Sequence, residues 1–523
     1  MNNSTRLMCL ALLAGAVGMG SWLAVSYRHH GSTASRLGGG GGGGGGAANS
    51  ETAAVTELTL YCAAGLRIPV DRVVGEYKRD HAIEVRLQYG GSGQLLANIE
   101  LAKRGDLYLA ADDSYVVLGR KNGLLTEAIP LATQRPVIVV AKGNPRKING
   151  MEDLLTTEGR IALANPDQAA VGKVVRDLLT KSGQWEALAK KVAVFKPTVN
   201  DTANDLLIGS ADAAIVWDTT AAMYPQLEVV HAVLLDQAQQ QVSICVLRAS
   251  DQPTAALRFA RYLAANDRGL KAFKDNGFVP VPGDVWEEEP TVTLYCGALN
   301  RIGVKDTIAR FEQREGCRIN TVYNGCGILV SQIKAGQVPD AYLACDTSFV
   351  PPVADLFLAP LTLTEVPIVI ATPKGNPKNI KTVEDLTRAG LKIGLCHAEQ
   401  SSVGALTKRM LTRAGLYEQV HANTRSETPT ADTLVNQMQL GSLDAVVVSR
   451  ANVAAVPDKV DFVPIPGFSA VQPYTISKQT PHAYLVTRLR EALTSTSSRQ
   501  TYEKCGFIWR VSENHDKQSN GQE

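Results

Sequence analysis

The chain carries almost no net charge, because its 53 Lys and Arg residues nearly equal its 51 Asp and Glu residues. It therefore lacks the long-range positive field with which nucleic-acid-binding proteins attract a polyanion. An anionic ligand would have to be held by local contacts instead. We expect no nucleic-acid partner.

The sequence also lacks the residue patterns of common catalytic and metal sites. Its eight histidines are dispersed, and no Gly-x-Ser-x-Gly, His-Glu-x-x-His or Walker loop occurs. The nine cysteines are scattered without a Cys-x-x-Cys pair, so neither a zinc site nor a dense disulfide framework is indicated. One or two disulfides in the second half stay open. The sequence predicts no enzyme, no cofactor and no direct metal ligand.

The first positive feature of the sequence is an apolar segment at its N-terminus. Arg6 precedes an uncharged run over residues 7–27, which is long enough to cross a bilayer and is typical of an export segment. Residues 1–28 are predicted to be a signal peptide or an uncleaved membrane anchor. Residues 29–56 contain nine consecutive glycines and are predicted to be a flexible linker. We expect a periplasmic or otherwise extracytoplasmic protein that contacts the membrane through its N-terminal segment.

An internal repeat dominates the rest of the chain. Thr59-Leu60-Tyr61-Cys62 recurs as Thr293-Leu294-Tyr295-Cys296, an offset of 234 residues. From there residues 59–116 match residues 293–350 at 20 of 58 positions without a gap, and Arg67 with Arg301 is among the matched pairs. A period this long lets each copy fold around its own core.

Each copy has the alternating pattern of an α/β unit. Apolar runs such as Pro136–Ala141 and Ala213–Trp217 alternate with helical patterns such as residues 174–179. We predict two units, residues 57–287 and 290–511, and a polar tail over residues 512–523.

A glycine-rich turn in the first unit is the clearest candidate for a ligand site. Tyr89-Gly90-Gly91-Ser92-Gly93 follows a strand pattern and precedes a helical one. Backbone N–H groups at a helix start are unpaired and carry the positive end of the helix dipole, so an oxyanion can bind there without Lys or Arg. The alternative is an ordinary turn in which Ser92 only caps the helix. Two more turns of small residues, 62–66 and 169–172, favour a binding site.

Two neighbouring carboxylates, Asp112 and Asp113, could suggest acid chemistry. They follow an apolar strand pattern over residues 107–111, where Asp commonly caps the next helix. The sequence favours capping.

These turns resemble those of the molybdate-binding proteins of ABC transporters, and the resemblance covers nearly all of each repeat. That family has an Ala-Ala-Ser-Leu turn after strand one, a Ser-rich turn before the next helix, an Ala-Asp after a later strand and a Val-Tyr late in the unit. The matching residues here are Gly65, Ser92, Ala111 and Trp217. The family's main-chain contacts in the second lobe would fall on two further residues of the first unit, Val171 and Val199.

The two copies depart from this family pattern to different degrees. Gly65 lacks the serine hydroxyl, and Trp217 offers an indole N–H in place of a tyrosine hydroxyl. The second unit departs further, with these residues at the matching positions: Leu299, Cys326, Cys345, Val403, Ala431 and Ser449.

The resemblance implies the type II periplasmic-binding fold, α/β in class, with two lobes per unit that close about a hinge on the ligand. It implies an extracytoplasmic solute-binding protein that captures a tetrahedral oxyanion, molybdate or tungstate, for uptake through an ABC permease in the membrane. A sulfate-like anion is a further candidate ligand. The alternative is a membrane-tethered sensory or scaffold module with another ligand or none.

Overall fold

Residues 57–511 are described by a computed structural model of the chain. The predicted export segment (1–28), glycine linker (29–56) and polar tail (512–523) lie outside the described residues. Within the described part, no helix is both long enough and apolar enough to cross a membrane.

The first unit is built from alternating strands and helices. Its strands are β1 (Glu57–Ala63), β2 (Glu84–Gly90), β3 (Leu107–Leu109), β4 (Leu125–Gln134), β5 (Pro136–Ala141), β6 (Ile161–Ala164), β7 (Val192–Lys196), β8 (Ala213–Trp217), β9 (Leu227–Val230), β10 (Gln240–Leu247) and β11 (Val279–Pro280). Its helices are α1 (Arg67–His81), α2 (Ser92–Ala102), α3 (Asp113–Lys121), α4 (Met151–Thr156), α5 (Ala170–Lys181), α6 (Trp185–Lys191), α7 (Val199–Leu207), α8 (Asp218–Ala222), α9 (Val233–Asp236), α10 (Pro253–Leu263) and α11 (Gly269–Asp275), and a 3-10 helix, Ala64–Leu66, precedes α1.

These strands form two sheets, one in each lobe. The first lobe has six strands in the order β11-β4-β10-β3-β1-β2, and the second has five in the order β7-β6-β8-β5-β9. The chain enters the second lobe between β4 and β5 and returns between β9 and β10. Because β1 pairs in parallel with β2 and β3, the helices that follow these strands begin at the same edge of the sheet.

Each sheet is covered by the apolar faces of its helices. In α1, Val70, Val73 and Tyr77 recur at helical spacing and are fully buried. In β1, Leu58 and Leu60 are fully buried as well. This packing holds the helix starts rigidly at the edge of the sheet.

The second unit repeats the plan with one change in its strands. Its strands are β12 (Thr291–Gly297), β13 (Arg318–Asn324), β14 (Ala341–Leu343), β15 (Leu361–Pro373), β16 (Ile393–Cys396), β17 (Thr424–Thr428), β18 (Ala445–Ser449), β19 (Val460–Ile476) and β20 (Ile508–Trp509). Its helices are α12 (Arg301–Glu315), α13 (Cys326–Lys334), α14 (Ser402–Arg413), α15 (Tyr417–Ala422), α16 (Ala431–Gln439), α17 (Arg450–Ala454), α18 (Ala483–Leu493) and α19 (Thr496–Lys504), with 3-10 helices at Ala298–Asn300, Thr347–Phe349, Pro351–Leu356 and Glu384–Thr387.

The change lies in the two strands that connect the lobes. β15 and β19 run unbroken from one lobe to the other, so the second unit has a single nine-stranded sheet. In the first unit the matching path is interrupted at Arg135, between β4 and β5. The Arg135 N–H donates to the Asp218 carboxylate at 3.1 Å, and the Asp218 N–H donates to the Arg135 carbonyl at 2.9 Å. These bonds join the segment between β4 and β5 to α8, and α9 separates β9 from β10 on the returning path.

Several expectations from the sequence are confirmed at residue level. The two apolar runs predicted to be strands, Pro136–Ala141 and Ala213–Trp217, form β5 and β8. Asp112 is the N-cap of α3, and its carboxylate accepts a hydrogen bond from the Ser114 N–H at 2.6 Å, as the capping interpretation predicts. The described cysteines are all free thiols, so the described residues contain no disulfide.

The first lobes of the two units pack against each other through buried charges. Within the second unit, the Glu315 carboxylate, 1% exposed, accepts two hydrogen bonds from the Arg488 guanidinium at 2.7 and 3.0 Å. The Arg261 guanidinium donates to the Glu315 carbonyl across the junction. Arg314 forms a two-bond ion pair with Glu127 at 2.8 and 2.9 Å. The junction therefore joins the units by specific contacts.

Candidate functional site

The candidate site of the first unit is a cleft of about 230 Å³ between its two lobes. All six residues predicted from the sequence line it, and no lining residue is ionisable. The lining residues are Ala63, Ala64, Gly65, Gly90, Gly91, Ser92, Ala111, Ala169, Ala170, Val171, Thr198, Val199 and Trp217. The lining presents main-chain groups, small or apolar side chains, two hydroxyls and an indole.

Helix starts from both lobes meet at this cleft. α2 begins at Ser92 in the first lobe, while α5 and α7 begin at Ala170 and Val199 in the second. No side chain caps α2 or α5, whereas the Thr198 hydroxyl caps α7 by accepting from the Asp201 N–H at 3.1 Å. The three helix dipoles therefore place their positive ends on one small volume.

Ser92 is held in position by two hydrogen bonds. Its hydroxyl oxygen accepts from the Ala111 N–H at 3.1 Å, and its carbonyl accepts from the Tyr108 hydroxyl at 2.8 Å. Because the Ala111 amide occupies an acceptor position of the hydroxyl, the hydroxyl proton remains for donation to a ligand. Ala111 thus positions Ser92 in this structure.

Gly65 and Trp217 face each other across the cleft with Val199 between them. A Cβ on Gly65 would lie 3.0 Å from Val199 Cγ1 and 3.8 Å from Trp217 Cδ1. The side chains of Val199 and Trp217 therefore occupy the space into which a side chain at position 65 would extend.

Sequence reasoning missed Thr220, which belongs to α8 and lies three residues after Trp217, the last residue of β8. Its Oγ1 atom is buried and has no hydrogen-bond partner among residues 57–511. It lies 3.5 Å from the position of a Cβ on Gly65. A buried hydroxyl without a partner costs free energy, so it is a candidate ligand donor. No sequence motif marks it.

Sequence reasoning also missed a buried link between the lobes. The Gln134 side chain donates to the Ala111 carbonyl at 2.8 Å and accepts from the Thr219 hydroxyl at 2.6 Å. Gln134 ends β4 in the first lobe and Thr219 belongs to α8 in the second. This link couples the Ser92 turn to the hinge.

The lobes of the first unit are closed. The Gly93 and Gln94 N–H groups of the first lobe donate to the Gln168 carbonyl of the second at 2.9 and 3.3 Å. A Cβ on Gly91 would overlap the Gln168 carbonyl and lie 2.7 Å from the Pro197 carbonyl. Glycine at this position is therefore a condition for closure.

The second unit has a matching cleft of about 320 Å³. Five of its six predicted residues line it: Leu299, Cys326, Cys345, Val403 and Ala431. Ser449 does not, because its hydroxyl donates to Asn452 Oδ1 at 2.6 Å within the capping box of α17. This cleft is also closed, since the Gly327 N–H donates to the Gln400 carbonyl at 3.1 Å.

The chemistry of the second cleft differs from that of the first. Cys326 takes the place of Ser92, and its sulfur accepts from the Cys345 N–H at 3.1 Å. Asp432 lines the cleft and accepts from the Asn452 amide at 2.8 Å, whereas the first unit has Asn200 there. Across the described residues, no group of three or more His, Cys, Asp or Glu is placed to hold a metal ion.

Two α/β lobes that close over a cleft, joined by a pair of crossing segments, define a solute-binding protein of the type II periplasmic-binding fold. The match to known families agrees. The family of bacterial extracellular solute-binding proteins matches residues 58–279 and again residues 292–508, and the chain belongs to this family.

Individual relatives each match about half of the chain. A Haemophilus influenzae protein named as a binding protein is 29% identical over 225 residues, 43% of this chain and 91% of its own length. The molybdate-binding protein ModA of Mycobacterium tuberculosis is 28% identical over 248 residues, 46% of this chain and 92% of its own. The solved periplasmic molybdate-binding protein of Azotobacter vinelandii is 17% identical, with a TM-score of 0.37 over 43% of this chain and 99% of its own.

Proposed function

We propose that the first unit captures a tetrahedral oxyanion, molybdate or tungstate, and delivers it to an ABC permease. The observation that supports this most is the cleft lining, which has no ionisable side chain and yet collects the starts of α2, α5 and α7. Such a site attracts an anion through main-chain dipoles alone. A cation would find no counter-charge there.

The donors proposed for the ligand come from both lobes. They are the Ser92 hydroxyl, the Val171 and Val199 amides and the Trp217 indole N–H, with Ala111 and Gly65 shaping the turns around them. The Thr220 hydroxyl is a fifth candidate. Four such bonds at roughly 1.5–3 kcal/mol each can offset desolvation and association costs and leave about micromolar affinity.

The same donors favour some oxyanions over others. Molybdate and tungstate accept hydrogen bonds at every oxygen, whereas hydrogen phosphate carries a proton that requires an acceptor. The lining contains no carboxylate to accept that proton. The site therefore disfavours phosphate. Sulfate also accepts at every oxygen and must be compared directly.

The setting of this function follows from the family and the N-terminal sequence. The M. tuberculosis relative is named for molybdate binding. We propose that residues 1–28 export the chain to the periplasm and hold it to the membrane as a signal peptide or anchor, that residues 29–56 tether the units, and that residues 57–287 and 290–511 are their limits.

Calorimetric titration of the full chain with molybdate, tungstate, sulfate and phosphate tests the proposal. We expect micromolar or tighter binding of molybdate or tungstate and none of phosphate. Tighter binding of sulfate would reassign the ligand. Absence of binding for all four would contradict the proposal and favour the sensory or scaffold alternative.

A further inference from the structure

The second cleft contains two thiols side by side. Cys326 begins α13 and Cys345 follows β14, and both are buried cleft residues. The Cys345 N–H donates to Cys326 Sγ at 3.1 Å. Both sulfurs lie within 2.7 Å of one point, the position that a Cβ on Gly297 would occupy. The two sulfurs are therefore close enough to share one ligand atom.

The groups around Cys345 match those that line the first cleft. Leu299 and Ser402 line the second cleft together with Cys345, and Gly65 and Ala170 hold the matching positions in the first cleft. In the second unit these groups surround a sulfur of the protein itself.

The charge of the second cleft also differs in sign. Asp432 adds a carboxylate to the lining where the first unit has Asn200. A carboxylate in the lining of a small cleft repels an oxyanion and attracts a cation. Ser449, the remaining predicted hydroxyl, is engaged with Asn452. Because Ser401, Ser402 and Thr430 also line this cleft, its carboxylate, and not a lack of hydroxyls, sets it against an oxyanion.

We propose that the second cleft binds a soft monovalent metal cation, of the cuprous type, between the sulfurs of Cys326 and Cys345. Soft sulfur ligands favour Cu(I), zinc and iron–sulfur clusters. Structural zinc sites and iron–sulfur clusters take four protein ligands, whereas this cleft offers two thiols, which favours Cu(I). Binding forms two copper–sulfur bonds and releases to solvent each proton that the two sulfurs still carry, with no change in the oxidation state of copper or sulfur. Asp432 contributes charge and is not required as a ligand. The proposal is independent of the ligand of the first cleft.

The test is a Cu(I) titration of the reduced full chain against a chromogenic cuprous chelator, without oxygen. Three variants are compared with the wild type. Cys326→Ser/Cys345→Ala places in the second cleft the residues that the first cleft has at 92 and 111. Cys505→Ser removes a half-buried thiol elsewhere, and Asp432→Asn introduces the residue of the first unit.

We expect the wild type and Cys505→Ser to bind one Cu(I) per chain, Asp432→Asn to bind it more weakly, and the double variant to lose the binding. Saturating molybdate should leave Cu(I) binding unchanged. Failure of the wild type to bind, equal binding by the double variant, or displacement of Cu(I) by molybdate would each overturn the proposal.

A spectroscopic measurement keeps the test decisive if the double variant does not fold. X-ray absorption of the Cu(I)-loaded wild type identifies the atoms bound to copper directly. We expect two sulfur neighbours. A copper shell of nitrogen or oxygen would overturn the proposal.

Discussion

Replacing Ser92 by alanine removes a hydroxyl group to which we assign two roles. The hydroxyl oxygen accepts the buried Ala111 N–H at 3.1 Å, and the hydroxyl proton is proposed to be donated to the oxyanion. Ser92→Ala therefore has two separable effects. The unliganded chain loses about 1–3 kcal/mol of stability, because a buried N–H is left without its acceptor. The ligand loses a charge-assisted hydrogen bond of about 1.5–3 kcal/mol, a weakening of roughly tenfold to a hundredfold.

Ser92→Cys separates these two effects. In the second unit a cysteine already accepts the matching N–H, from Cys345 to Cys326, at 3.1 Å. A thiol at position 92 therefore keeps an acceptor for Ala111 but is a weak donor to an anion. We expect Ser92→Cys to keep more of the stability than Ser92→Ala and to lose a similar part of the affinity.

The assays are thermal unfolding without ligand and calorimetric titration with molybdate. Ser182→Ala is the matched control, because Ser182 lies at the opposite end of α5 from Val171 and its hydroxyl donates to the Leu179 carbonyl at 3.2 Å. The control should bind as the wild type does. Wild-type affinity in Ser92→Ala would refute the donor role of this hydroxyl, whatever its effect on stability.

Three further predictions concern closure, ionisation and the junction. Gly91→Ala should weaken molybdate binding by about tenfold or more, because the added Cβ would overlap the Gln168 carbonyl of the opposite lobe in the closed form. Gly150→Ala, where nothing lies within 4 Å of the added Cβ, should bind normally, and equal affinities of the two variants would contradict the closure argument. Burial raises the pKa of Asp113 to about 6. The wild type should therefore lose stability relative to Asp113→Asn as the pH rises from about 4 to about 6, and should lose none below about pH 4. If the unfolding midpoints of the two proteins differ by the same amount at every pH, burial does not control the ionisation of Asp113. Glu315→Gln leaves Arg488 and Arg261 buried without their counter-charge and should cost about 3–5 kcal/mol in urea unfolding. The exposed pair Glu289 with Arg318 is the control, for which Glu289→Gln should cost less than about 1 kcal/mol, and similar losses in both variants would disprove the role of burial.

The fold could be predicted from the sequence because its signals are local or repeated. The repeat that begins at Thr59 and Thr293 identifies two copies of one unit. Within the first copy, two apolar runs predict the strands β5 and β8. The first cleft could be located because glycine and small residues at helix starts leave the backbone amides open to a ligand. Backbone donors need no particular side chain, so the pattern of small residues in the turns was enough to locate the cleft.

The remaining features depend on contacts that no local pattern encodes. Gln134 and Thr219 are 85 residues apart, and their hydrogen bond exists only because the hinge brings the lobes together. The hydrogen bond from Arg135 to Asp218 likewise joins residues that are 83 positions apart. Ser449 matched the pattern of a donor, but its hydroxyl belongs to Asn452, which only the geometry of α17 shows. Such partners are set by tertiary packing.

Gly325 and Gly327 show what the two copies have in common. A Cβ on either residue would overlap a carbonyl of the facing lobe, Gln400 or Glu399, just as at Gly91 in the first copy. The second copy has a cysteine where the first has a serine and an aspartate where the first has an asparagine, yet it has both glycines. The close approach of the two lobes in each copy therefore depends on glycines that both copies share, while the side chains between the lobes differ.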